Sequence, residues 1–157
     1  MSDSKSYSLV SPKKNRSAHL LPIKAAVAFK AAGGKLVSKD GTDDFKLAVA
    51  ADTEISGWAE ITGSLTIGAA ITPITVCDDL EQDFELPAGA AFTVAEAIAL
   101  LNKSCDLKDT NTAGTTVQSC NQAASATDVL VIKGYDFAKQ TFICRLNPAK
   151  MFATGAV

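Results

Sequence analysis

Between Ile23 and Pro148, short apolar runs recur about every eight to twelve residues, the spacing of a small β-barrel or sandwich. Phe45, Leu47 and Val49 alternate with Lys46, Ala48 and Ala50, the period of a half-buried strand. Further short strands are expected around Trp58, at Leu65 and Ile67, and over Ile71–Val76, where Pro73 interrupts. Asp40-Gly41 reads as the centre of a hairpin turn. Val129-Leu130-Val131-Ile132 is a continuous apolar run, which predicts a strand buried on both faces. Thr141 to Leu146 is its expected partner, and Pro148 ends it. Asn111 to Ala126 reads as turns around a weak strand at Thr116–Ser119.

One segment carries a helical period instead. Thr93 and Glu96 have the spacing of a capping box, and Val94, Ile98 and Leu101 follow at i, i+4 and i+7. These signs predict one short α-helix over about 93–103, packed on the sheet by that stripe.

Residues 1–22 differ in character from the rest of the chain. They are rich in Ser and Lys, hold Pro12 and Pro22, and show no apolar period. The expected organisation is an extended N-terminal arm over 1–22, a β-rich core domain over 23–148 and a C-terminal tail over 149–157. The fold class is therefore mainly β: a small barrel or sandwich with one short helix and an extended N-terminal arm.

Charge divides the chain in the same sense. Residues 1–46 carry nine Lys/Arg against four Asp/Glu, and the remainder six against thirteen, within a net charge of -2. A basic leading segment suggests an acidic partner, although basic residues also simply solvate an arm. No run of about 18 apolar residues occurs, so no transmembrane helix is expected. The polar Met1–Leu9 lacks the apolar stretch of a signal peptide, which predicts a chain made in the cytoplasm.

The residues that carry chemistry are few. His19 is the one histidine and sits in the expected arm, a poor place for a rigid catalytic shell. Gly33-Gly34-Lys35 resembles a piece of a phosphate loop, but Phe29 stands where the first Gly belongs and Leu36 where Ser or Thr must hold magnesium. The cysteines at 77, 105, 120 and 144 form no C-x-x-C pair, and in a reducing compartment they read as small buried hydrophobes. The acidic run Asp78–Glu85 lacks the calcium-loop pattern and reads as a solvated loop. Asn15 and Asn102 begin glycosylation sequons that matter only after secretion. No enzymatic activity, metal or cofactor is expected. A nucleic-acid-binding barrel would need a basic groove with exposed aromatic residues. The expected strands are poor in Lys and Arg, and Trp58, flanked by Gly57 and Ala59, reads as core.

The segment Ala50-Ala51-Asp52-Thr53-Glu54-Ile55-Ser56-Gly57-Trp58-Ala59-Glu60 resembles a stretch of the small tailed-bacteriophage head proteins that decorate, or cement, the capsid. Asn102–Leu107 and the two final apolar runs resemble the same family. The resemblance covers residues 23–148 and implies a β-rich structural virion protein with no catalytic residues. It implies binding to the capsid exterior, clamping of neighbouring major capsid subunits and assembly as a homotrimer. The arm is expected to supply the capsid contact through Lys13, Lys14 and Arg16 together with Leu20 and Leu21. The alternative is an OB-like nucleic-acid-binding barrel.

Overall fold

A computed structural model describes residues 7–12, 17–112 and 115–150. Five strands form a closed barrel in the order β1-β4-β3-β5-β7. They are β1 (Ala18–Ile23), β3 (Leu36–Asp40), β4 (Asp44–Leu47), β5 (Gly57–Ala59) and β7 (Thr72–Cys77). The pairings are antiparallel except β1 with β4, which meet in parallel at Ile23 and Phe45. The turn between β3 and β4 is the expected one, with Gly41 at φ 64°. Two short strands, β2 (Ala28–Phe29) and β6 (Leu65–Thr66), pair beside the barrel.

A second sheet has the order β10-β9-β11-β12-β8. Its strands are β8 (Phe84–Pro87), β9 (Ser104–Thr112), β10 (Thr115–Asn121), β11 (Leu130–Asp136) and β12 (Thr141–Leu146). A parallel bridge between Ala88 and Cys120 brings its two edges together. The whole is mainly β with one short helix, as the strand spacing predicts.

Two apolar clusters fill the molecule. One lies inside the barrel and contains Ile23, Val37, Leu47 and Val76. The larger one joins Leu36, Ala48 and Trp58 from the barrel side to Phe84, Leu107, Leu130 and Phe142 of the second sheet. Trp58 is buried and stacks on Phe84 at 4.8 Å, so it is core. Gly57 lets it get there: with φ 154°, an added Cβ would stand 2.6 Å from the Cys77 carbonyl oxygen.

Several expectations need correction. Residues 18–22 are not arm, because Ala18–Ile23 pairs residue for residue with Cys77–Thr72. Pro22 fits because it stands opposite Pro73, so the two missing donors coincide in the ladder. The segment before it is also docked. Tyr7 is buried, the Val10 amide donates to the Asp83 carbonyl, and the Glu85 amide donates to that of Ser8.

The helix α1 spans Val94–Leu100, shorter than the expected 93–103, with the capping box of Thr93 and Glu96 in place. Its core face differs from the expected stripe. Ala97 is buried and Leu100 and Leu101 pack on the core, while Val94 and Ile98 face outward. Anchors at both ends fix that rotation: Gln140 bonds both the amide and carbonyl of Phe92, and the Asn102 amide donates to the Ile132 carbonyl.

Asp78–Glu85 is not a solvated loop. Asp79 and Gln82 are buried, and Phe84 begins β8 with its ring in the core. The run Val129–Ile132 is buried at Val129, Leu130 and Ile132, but Val131 is half-buried opposite Arg145, so one face is only partly covered. The expected weak strand at 116–119 is the middle of β10, and β9 is a nine-residue strand where turns were expected from Asn111. Residues 148–150 form a 3-10 turn that the Ile55 amide caps through the Lys150 carbonyl.

Candidate interaction surface

Of the expected capsid-contact residues, Lys13, Lys14 and Arg16 lie outside the described residues. Leu20 and Leu21 both lie on β1 and point to opposite faces. Leu21 packs half-buried against the barrel cluster. Leu20 is 69% exposed, the most exposed large apolar side chain described. On its face Leu20 stands opposite Thr75 and Pro22 opposite Pro73, and Thr75 and Pro73 are themselves exposed. Ile71, 52% exposed, immediately precedes β7. The result is an outward strip of apolar and hydroxyl residues on two paired strands. The sequence singles out Leu20 but not its neighbours, which join it only through the β1–β7 register.

Two polar contacts flank the strip. His19 Nδ1 lies 3.0 Å from an Asp78 carboxylate oxygen, and the Ser17 hydroxyl also donates to Asp78. Lys24 Nζ lies 2.8 Å from Asp40. That bond, with the charge behind it, raises the Lys24 pKa. Both pairs hold the ends of β1 to the barrel, so the strip is presented on a fixed backbone.

A second apolar surface lies at α1. Val94 and Ile98 face outward, and another side of the helix borders a shallow pocket of about 380 Å³ whose lining includes Phe92, Ala99, Leu100 and Gln122. Phe137, half-exposed, meets Phe92 edge-on at 6.2 Å.

Lys35, which fails as a phosphate-loop lysine, has an unexpected place. It is fully buried, donates to the Tyr7 carbonyl at 2.7 Å and lies 6.0 Å from the Trp58 ring centre. Burial lowers its pKa. Its role here is to fasten the leading segment over the junction of the two sheets. Nothing in its local sequence signals this, because the partner is a backbone carbonyl 28 residues away.

All four cysteines are free and buried, as small hydrophobes would be. Among the described residues no group of three or more His, Cys, Asp or Glu side chains is arranged to hold a metal ion. Among them, too, no helix is long and apolar enough to cross a membrane. No protein family, curated protein or solved structure matches the chain.

Proposed function

We propose that the chain is a structural protein of a tailed-phage head, which binds the capsid exterior as a homotrimer and clamps neighbouring major capsid subunits. The observation that carries this reading is the strip of exposed Leu20, Pro73 and Thr75 beside half-buried Pro22 on the barrel wall. A lattice clamp needs a firm scaffold that presents modest apolar contacts, because repetition over the lattice multiplies them. The basic residues Lys13, Lys14 and Arg16 lead directly into the strip along the chain. They supply electrostatic attraction where the strip supplies apolar contact. The acidic segment Asp78–Glu85 begins beside the strip, where Ser17 and His19 already engage Asp78.

The five-stranded barrel also keeps the OB-like nucleic-acid reading in play. That reading uses exposed aromatic platforms, whereas Phe45 and Trp58 of this barrel are buried.

Co-sedimentation with intact capsids of the phage that carries the chain, beside free coat protein, tests the proposal. The expected result is saturable binding to capsids only, which salt weakens through the basic residues but does not abolish. Leu20→Asp should weaken it about tenfold or more while leaving the fold intact, since the position is exposed. Equal binding by that variant would remove the strip from the interface. Binding to single-stranded DNA that collapses with added salt would favour the nucleic-acid barrel.

A further inference from the structure

Three of the four thiols meet inside the second sheet. Cys120 on β10 stands directly opposite Leu107, and Cys105 lies two residues along on the same face of β9. Their Sγ atoms are 3.2 Å apart. Cys144 on β12 lies in the same buried cluster. Cys77 belongs to the barrel, on β7.

We propose that Cys105 and Cys120 are a built-in cross-linking site, converted to an intramolecular disulfide by a small two-electron oxidant of the peroxide class. The two sulfurs need to approach by only about 1.2 Å to reach bonding distance. They form a diagonal pair on one face of neighbouring strands, so closing the bond draws β9 and β10 together at that point.

One sulfur, as its thiolate, attacks a peroxide oxygen; the O–O bond breaks, and the leaving hydroxide takes a proton to become water. The sulfenic acid so formed condenses with the second thiol. The S–S bond forms, the S–O bond breaks, and a second water leaves. Two thiols are oxidised by two electrons in total, and one peroxide is reduced to two waters. Both thiols are buried, so peroxide reaches them only through local opening of the sheet, which its small size keeps limited. The Cys120 thiol and burial push the Cys105 thiol well above its ordinary pKa; Cys105 lowers the Cys120 pKa, but Cys144 and burial outweigh it, so both thiolates are scarce and the reaction is slow. The product would staple β9 to β10, the strand that carries Gln118 into the barrel wall.

The chain is well suited to the test, because trypsin places the four cysteines on separate peptides, 47–103, 104–108, 109–133 and 140–145. The folded, reduced protein is exposed to hydrogen peroxide, then alkylated in denaturant, digested and analysed by mass spectrometry. The expected result is the loss of two of the four thiols, a peptide pair joining 104–108 to 109–133, and reversal by dithiothreitol. Tm should rise by about 5 °C, since a short loop is closed in the unfolded chain. Four intact thiols, under conditions that oxidise the denatured chain, would overturn the proposal. So would sulfonic acid at either position without the link, a dominant link from Cys120 to Cys144, or links through Cys77 or between chains.

Discussion

The barrel interior is filled mainly by side chains from its own strands, Ile23, Val37, Phe45, Leu47 and Val76, and holds no thiol, whereas the second sheet encloses Phe84, Phe142 and the thiols Cys105, Cys120 and Cys144. The second sheet does not complete that core alone. Leu36, Ala48 and Trp58 belong to the same cluster and come from the barrel side. The barrel thus contributes to two cores and the second sheet to one. One region is sealed within itself, and the other is sealed only against its neighbour. The two regions should therefore fold as one unit, and damage on the second-sheet side should reach the barrel.

The most severe way to break that picture is Val129→Asp. Val129 is buried in the shared cluster. A carboxylate there loses its hydration and finds no counter-charge, a penalty of roughly 4 kcal/mol or more against a domain stability of about 5–15. The expected outcome is a single loss of structure in both regions, read as coincident changes in circular dichroism and in fluorescence of the single Trp58. A barrel that stays folded, with Trp58 fluorescence unchanged, would show two independent units.

A gentler change addresses the junction itself. Gln118 of β10 is fully buried and crosses into the barrel. Its side chain accepts from the Leu36 amide at 2.8 Å and donates to the Leu36 and Ala48 carbonyls at 2.7 and 2.9 Å. Gln118→Leu keeps most of the volume but leaves the Leu36 amide and the Ala48 carbonyl without these partners. A buried polar group that loses its partner costs about 1–3 kcal/mol, so the sum is about 3 kcal/mol. Thermal unfolding should fall by about 8 °C in Tm and remain one transition. A split into two transitions would show that Gln118 is what couples the regions. An unchanged Tm would show that the apolar cluster suffices.

The sequence made the two regions legible to different degrees. Alternation marked β4, and continuous apolar runs marked β11 and β12, because period and burial are local properties. The Asp-Gly turn and the capping box were legible for the same reason. β1 was not, since Leu20 and Leu21 run into a proline and acquire meaning only opposite Thr75 and Ile74. β9 was not, since its Lys108, Asp109, Thr110 and Asn111 carry no apolar period. The inward face of α1 was set by distant anchors, Gln140 and Ile132, which override a better-looking stripe. The outward strip inherits the same difficulty. Leu20 could be named from sequence, but Pro73 and Thr75 reach it across more than fifty residues of chain.

The smallest expected effect compares two carboxylates, one in each region. Asp52, beside the barrel, accepts from Ser38, from the Val49 amide at 2.9 Å and from Lys46 Nζ at 2.9 Å. Burial alone would raise its pKa, but those bonds and the Lys46 charge outweigh burial and hold it below 3.8. Asp106, on β9, is opposed by burial in the same way and held low by the backbone amides of Asp128, Ala126 and Thr127. In both cases the folded pKa lies below the unfolded one. Their stabilisation is thus fully present above the unfolded value near 4 and disappears as pH falls through the folded one. Asp52→Asn and Asp106→Asn should each cost about 1–2 kcal/mol at neutral pH and flatten the acid limb of the stability curve. Salt separates them. Asp52 depends in part on an ion pair whose two side chains remain about a fifth exposed, so about 1 M salt should shrink its share. Asp106 depends on fixed amide dipoles at short range, which salt screens little, so its share should persist. Equal shrinkage of the two contributions would mean that Asp106 also answers to a mobile charge, and the contrast between a charge-paired barrel and a backbone-bound second sheet would fail at that point.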